Sequence, residues 1–420
     1  MMVDTIVVGG GPAGLTCASL LPGNTLVLER RRQVGGCHRV QYDSEGRFSE
    51  HGPRVYSGGY VNLDRMLSMI GLRWTDVFAP VHYAPDDIDG QRWYQWLSWR
   101  GLLMVTLMTL AYMLGVPIEG SVKSAAEWWR LSAKERRNLD TVCRFSDGAG
   151  DDRYRQSQFV AGFDFHAVYP FYEPRESLDY ALWRPWTEWL RSRGVRVETG
   201  ARVSRVLISG GRAVGVRTAN GREILARRVV VCLPPKPLMR LLRDSEVYAY
   251  PDLKKTQYIP YWSYSLHFEP GEGPLVEPGF RDTAWGLIYM DLSRHLVNQP
   301  TAILSVAITR VDRVPKGVSD DRIETELLRQ LPLLPEARRR LVAVVPTRES
   351  DHAYVNAVGT RPIPFEHPHV EGLATVGCAN GRSRYPFTSI ESAIQNAMVF
   401  CGHRPRHPWT IRSIAIVALI

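Results

Sequence analysis

The residues best placed to do chemistry are three glycines and a carboxylate near the start of the chain. Gly9, Gly11 and Gly14 fall at G-x-G-x-x-G spacing, and Glu29 follows Gly9 by twenty residues. At that spacing Gly9 permits a tight turn, Gly11 lets backbone approach a pyrophosphate, and Gly14 lets a helix lie close on a strand. A helix opening there offers free N–H groups and the positive end of its dipole to phosphate oxygens. Glu29 can accept hydrogen bonds from ribose hydroxyls. A glycine-rich turn with no ligand has the same first few letters, so the flanks decide. Residues 5–8 are apolar and β-branched, residues 15–21 suit a helix, and residues 25–28 form a second strand that Glu29 closes. The pattern predicts a βαβ unit that holds a dinucleotide.

Other chemistry is scarcer. The six cysteines are spread through 420 residues with no C-x-x-C, which predicts reduced, structural thiols and an intracellular, cytoplasmic setting. No metal site is expected. The N-terminus runs directly into the predicted first strand, so no signal peptide is expected. Hydrophobic content is 45% and charged content 23%, the balance of a globular chain. The net charge of +9 is read as a scattered Arg-rich surface. No helix carries a basic stripe interleaved with aromatics, so nucleic acid is not expected as a partner.

The elements that must position the site follow along the chain. Gly35 and Gly36 lie six and seven residues after Glu29, where paired glycine lets backbone approach a cofactor from its far side. Residues 41–48 alternate around Ser44–Glu45–Gly46 as a hairpin. Asn62 can cap a helix bearing Leu63, Met66, Leu67 and Ile70 on one face. Ser132 with Glu135 fits a capping box. Residues 176–193 predict one helix with buried tryptophans and a kink at Pro185. Strands are expected at 195–198, 202–208, 213–218 and 228–233, with turns at Gly210–Gly211 and Asn220–Gly221. Later come strands at 261–268, 302–310 and 373–376, a helix at 320–330, and a last helix opening near Ser389.

One stretch is membrane-like. Residues 101–118 carry no charge and are preceded by Trp93, Tyr94, Trp96, Trp99 and Arg100. As a helix it would be about 27 Å long, against roughly 30 Å of hydrocarbon core. It is read as the wall of an apolar substrate cavity, with peripheral membrane contact through 93–118 as the alternative and a true span least favoured.

Together these pieces resemble the FAD-dependent amine oxidase superfamily, which includes monoamine and polyamine oxidases, protoporphyrinogen oxidase and carotenoid desaturases. The segment from Gly52 to Asn62, with Arg54, Tyr56, Gly58 and Tyr60, is similar to the G-x-H-x-F-x-G-x-Y-x-N run of phytoene-desaturase-like members, with Arg54 at the His position. The resemblance implies an α/β fold: a GR2-type Rossmann-like FAD-binding domain with an inserted mixed α+β substrate domain. The FAD domain would be assembled from 1–79, 191–240 and 366–403, the substrate domain from 80–190 and 241–365, and 404–420 would be an apolar tail. It implies non-covalent FAD. Gly9, Gly11, Pro12, Ala13, Gly14, Glu29 and Arg30 would hold its ADP half, with Gly35 and Gly36 beside them and Val203 against adenine. Gly52, Pro53 and Arg54 would lie along the cofactor, and Gly377, Cys378, Ser389 and Ile390 near the ribityl chain and ring. The last helix's N-terminus would favour negative charge at the flavin.

The expected function is oxidation of a small, apolar, isoprenoid-like substrate by hydride transfer to flavin N5. No catalytic side chain stands out beyond Arg54. The departures from the family pattern shape the alternatives. Cys378 replaces an acidic residue, no lysine is placed like the amine oxidases' N5 lysine, and Ser389 stands where monoamine oxidases carry a cage tyrosine. An amine oxidase, a non-redox enzyme resembling UDP-galactopyranose mutase with Arg382 or Arg384 as a phosphate contact, and a non-catalytic FAD scaffold remain open.

Overall fold

The computed structural model describes residues 2–81, 87–92, 95–166, 168–248, 250–259, 262–293, 296, 299–347, 354–355, 358–383, 385 and 388–408. Trp93, Tyr94 and Arg384, singled out above, and most of the apolar tail lie outside them.

The opening βαβ forms as the sequence predicts. Strand Val3–Val8 leads into helix Pro12–Leu20 and then strand Thr25–Leu28. Their β-branched residues suit a strand covered on both faces, and Ile6, Val7, Leu26 and Val27 are buried. The two strands pair in parallel, with Val8 opposite Leu28. Strand Arg196–Glu198 adds to the outer side of Thr25–Leu28.

On the other side lies the long strand Glu223–Val231, which serves two sheets' worth of partners. Its second half runs parallel to Val3–Val8 and to Leu373–Thr375. Its first half pairs antiparallel with Arg212–Thr218, which pairs in turn with Val203–Ser209. One sheet thus gathers strands from the start, middle and end of the chain. Helix Pro12–Leu20 packs on helix Ile390–Phe400. The latter is buried from Ile390 to Met398 on every side, as a helix between a sheet and other helices must be.

The remaining chain builds a second body of structure. Strands Leu287–Asp291, Ala302–Ile308, Trp262–Phe268 and Leu341–Thr347 form an antiparallel sheet in that spatial order. Helices Trp99–Met113, Val122–Trp128, Ala133–Asp147 and Gln156–His166 accompany it. The Ser132–Glu135 capping box forms, and Glu135 also accepts a hydrogen bond from the Ser98 N–H at 2.7 Å. These hydrogen bonds hold the Glu135 carboxyl at about 2 against the pull of burial.

The helix expected over 176–193 forms as one unbroken helical run, 178–192, in which a π-helical turn, Asp179–Trp183, passes into helix Arg184–Ser192 at Pro185, a π-bulge being one of the ways a helix accommodates a proline. Two other expectations need correcting. Asn62 is not a cap. The helix begins at Val61, and Asn62 lies within it, fully buried. The segment expected as a cavity wall is helix Trp99–Met113, and none of its residues lines the cavity described below. No helix among the described residues is long and apolar enough to cross a membrane.

Candidate functional site

The carboxyl ends of the parallel strands finish at one level, and the chain turns away from each. Gly9 follows one, Glu29 the next, Cys232 the third and Val376 the fourth. Such a crevice is where an open α/β sheet accepts ligands. A cavity of about 460 Å³ opens there and continues towards the antiparallel sheet.

At the near end, helix Pro12–Leu20 starts with Gly11 as its N-cap and no side chain capping it. Its first-turn N–H groups lack intrahelical acceptors, and Pro12 and Ala13 line the cavity. Glu29 is buried at the end of its strand. One carboxylate oxygen accepts from the Gly10 N–H at 2.8 Å and the other from the Arg31 N–H at 2.9 Å. Arg30, Arg31, Arg39, Arg54, Arg202 and Arg240 line the cavity against Glu29 and Asp244, a cationic excess that suits phosphate oxygens. A Cβ on Gly377 would find no atom within 4 Å although Gly377 lines the cavity, so the space beside it is open. An uncapped helix start, a strand-end carboxylate, an arginine-rich wall and that open space fit a dinucleotide cofactor.

Glu29→Ala is expected to weaken FAD binding by about 1.5–3 kcal/mol, the range for a charge-assisted hydrogen bond, or roughly tenfold to a hundredfold in Kd. Fluorescence titration of stripped protein with FAD checks it. An unchanged Kd would mean that the adenosine end is held elsewhere.

Most of the residues singled out from sequence meet in this cavity. Gly9, Gly11, Pro12, Ala13, Glu29, Arg30, Gly36, Gly52, Pro53, Arg54, Val203, Gly377, Cys378, Ser389 and Ile390 all line it. Gly14 and Gly35 stand behind its wall. A Cβ on Gly14 would lie 1.9 Å from the Gly9 carbonyl oxygen, and one on Gly35 would lie 2.6 Å from Trp183 Nε1. Gly36 approaches Gly11, so that a Cβ there would sit 3.1 Å from the Gly11 Cα. The paired glycines therefore first serve protein packing, beneath Trp183 and against the opening turn. Arg382, the described candidate for a phosphate contact, is exposed and off the cavity.

A polar cluster lies further in. Arg54 Nη1 is 3.0 Å from His38 Nδ1, Arg54 Nη2 donates to the Cys37 carbonyl at 2.6 Å, and Tyr56 Oη is 3.1 Å from the same Nδ1. A guanidinium can only donate, so His38 Nδ1 accepts and the ring proton sits on Nε2. Burial, with the adjacent Arg54 charge, holds His38 well below the usual histidine range, so it is neutral near pH 7. The Cys378 thiol donates to the Ser389 carbonyl at 3.5 Å. Ser389 itself caps helix Ile390–Phe400 by accepting from the Ser392 N–H at 3.1 Å.

The far end is apolar and aromatic. Phe145, Phe171, Ile259, Ile288, Met290 and Ala307 line it. Tyr60 and Tyr385 meet edge-on at 4.9 Å, and Tyr56 stands 6.2 Å from Tyr60. The sequence reading missed this tyrosine wall. Tyr385 lies four residues before Ser389 in the sequence, and its approach to Tyr60 is a long-range contact that no local pattern reveals. His38 was not singled out from the sequence either, although a histidine two residues beyond the paired glycines was the available signal. No lysine lines the cavity among the described residues. Lys254 and Lys255 lie in the exposed part of a short turn, Pro251–Lys255.

A profile of the flavin-containing amine oxidoreductases matches residues 12–398. The chain is 22% identical over 314 residues to a chloroplastic/chromoplastic 15-cis-phytoene desaturase of an Oncidium hybrid cultivar, covering 64% of this chain and 53% of that protein. It thus spans about half the length of that curated relative. Among solved structures it resembles an oxidoreductase from Methanosarcina mazei (TM-score 0.68, 16% identity, 95% of this chain and 100% of that one). It also resembles a putrescine oxidase bound to putrescine (TM-score 0.71, 14% identity, 96% and 98%). At these identities the structural likeness is one of fold.

Proposed function

The chain belongs to the flavin-containing amine oxidoreductase family, and from that premise we propose that it is a flavin-dependent oxidoreductase that binds FAD non-covalently and oxidises a small, apolar, isoprenoid-like substrate. The observation that carries this reading is the far end of the cavity, walled by Phe145, Phe171, Ile259, Ile288 and Met290 with no lysine lining the cavity among the described residues. The resemblance to a phytoene desaturase supports it. The same reading sets the protein in the cytoplasm in peripheral contact with a membrane, where such substrates partition.

The residues from Gly9 to Glu29 and from Gly377 to Ile390 would hold FAD, which would supply a hydride acceptor for a substrate C–H bond. The chain's own residues do the rest. The apolar wall excludes water and orients the reacting carbon. Arg54 and Tyr56 fix the neutral His38 ring with its proton on Nε2, so this cluster offers a donor without taking up charge. The Cys378 thiol is engaged with the Ser389 carbonyl, an arrangement suited to packing beside the cofactor rather than to bonding with it.

Amine oxidation is the second reading, favoured by the tyrosine wall of Tyr56, Tyr60 and Tyr385. Aromatic faces can flank an amine and exclude water around it. Anaerobic mixing separates the two. The flavin absorbance is expected to bleach with an isoprenoid or similar lipid and to persist with mono- and polyamines. Rapid bleaching by a simple amine, with hydrogen peroxide on readmitting air, would overturn the apolar-substrate reading. Turnover that requires pre-reduced flavin and leaves it reduced would point instead to mutase-type chemistry.

A further inference from the structure

We propose that the outer face of helix Trp99–Met113, extended by Trp128, docks this protein on an anionic lipid bilayer. The proposal specifies the membrane contact of the preceding reading and rests on that reading for its purpose, but not for its geometry or its test.

A helix at a protein surface needs one apolar face, turned to the core. This one has two. Gly101, Met104, Val105 and Met108 are its inward, buried face. Trp99, Leu103, Leu107 and Leu110, with Leu114 at the C-cap, follow at intervals of four, four, three and four residues and are between 39% and 71% exposed. Residues 101–118 contain no charge, so nothing ionic interrupts this outward stripe. The next helix, Val122–Trp128, packs against the first and presents Trp128 at 77% exposure. Isolated exposed leucines are ordinary, but a continuous row on one helix face marks an interaction surface.

Length and charge select the occupant. Fifteen helical residues span about 22 Å, short of the roughly 30 Å hydrocarbon core, so the helix lies in the plane of the interface. Tryptophan next to arginine is the pairing that such interfaces favour. Arg100 stacks over Trp99 at 5.4 Å, and exposed Arg130 follows Trp128 by two residues. Lys123 and Glu127, on the helix that bears Trp128, approach each other at 4.0 Å; the exposed acids Glu119 and Asp152 are also nearby, Asp152 paired with Arg153 at 3.8 Å. A second copy of the chain is a poorer fit. A two-fold contact on this face would bring Arg100 and Arg130 of both copies into one interface, between chains that each carry +9. Anionic headgroups meet the same arginines with attraction.

Co-sedimentation of the full-length, FAD-loaded protein with vesicles tests the proposal. The wild type is expected to pellet with phosphatidylcholine vesicles that contain phosphatidylserine, less with phosphatidylcholine alone, and less as salt rises. Combined Leu103→Glu, Leu107→Glu and Leu110→Glu should lower partitioning at least about tenfold while leaving the flavin spectrum unchanged, since none of the three lines the cavity. Arg100→Glu with Arg130→Glu leaves the apolar row intact and should remove only the phosphatidylserine-dependent part. The proposal is overturned by wild type that stays in the supernatant with both vesicles. Leucine variants that pellet like wild type overturn it too, as does light scattering that shows a wild-type dimer which the leucine variants dissolve. Vesicle binding is measured without substrate, so its failure leaves the bleaching experiment free to succeed.

Discussion

Gly14→Val is expected to yield a protein that retains less than about a tenth of its flavin. Gly14 lies in the first turn of helix Pro12–Leu20. A Cβ there would sit 1.9 Å from the Gly9 carbonyl oxygen and 3.3 Å from Val7 Cγ1. The obstacle cannot step aside. Gly9 has φ +108°, its N–H donates to the Leu28 carbonyl at 2.9 Å, and its own Cα faces the Cys232 carbonyl. The helix must lift from the strand by roughly an ångström to reach ordinary contact, and helix Ile390–Phe400 packs on it. Lifting it would move the first-turn N–H groups away from where the phosphates of the proposed cofactor would bind. Overpacking of this kind also costs about 1–3 kcal/mol of stability. Gly11→Ala is the informative companion. A Cβ on Gly11 meets only the Gly36 backbone, its Cα at 3.5 Å and its N at 3.9 Å, so that variant should fold normally and lose flavin only through a clash with the ligand itself. Flavin-to-protein absorbance ratios after desalting, with thermal melts, check both. A Gly14→Val protein with full flavin content would show that the turn is more pliable than its contacts indicate.

Glu391→Ala is expected to destabilise the protein by about 3 kcal/mol or more, because it leaves several buried neutral donors without an acceptor at about 1–3 kcal/mol each. Glu391 is fully buried in the first turn of helix Ile390–Phe400. It accepts from the Asn62 N–H at 3.1 Å, the Asn62 side-chain amide at 2.7 Å, the Leu63 N–H at 2.9 Å and the Gln395 amide at 2.9 Å. It is therefore the cap of helix Val61–Met69, supplied from 329 residues away. Asn62 completes the knot by exchanging two hydrogen bonds with the Arg406 backbone. Alanine would orphan four donors in an environment without water. Glu391→Gln should cost less, because one oxygen survives, but its amide would face the Leu63 N–H donor to donor.

The pH dependence follows in sign. Burial raises the Glu391 pKa, and the hydrogen bonds from Asn62, Leu63 and Gln395 only partly restore it. A folded-state pKa above the unfolded one means that the native state holds the extra proton in that window. The stability this group contributes is thus full below the unfolded value and declines as pH rises through the folded one. Glu391→Gln should remove that slope. Denaturant unfolding across acidic to neutral pH measures both effects, and a wild-type-like midpoint for Glu391→Ala would sink the account.

The features legible from residue order are local ones. The βαβ unit was readable because each part of it is short-range: β-branched strands, glycines at fixed spacing, and a carboxylate closing the second strand. The Ser132–Glu135 capping box and the Gly210–Gly211 turn were readable for the same reason, since a cap or a tight turn depends on residues within a few positions of one another. The tertiary structure decided whatever depends on distant partners. It made Asn62 a crossing point rather than a cap, because the acceptor for that helix start comes from Glu391. It assigned Gly35 to Trp183 and Gly36 to Gly11, contacts that no spacing rule encodes. It brought Tyr385 to Tyr60 and Arg54 to His38, and so produced an aromatic wall and a neutral, oriented imidazole that the motifs did not announce. It also turned the uncharged segment after Trp99 away from the cavity. An apolar helix can satisfy only part of its surface against a core, and which face it buries is settled by the neighbours that pack on it, not by its own sequence.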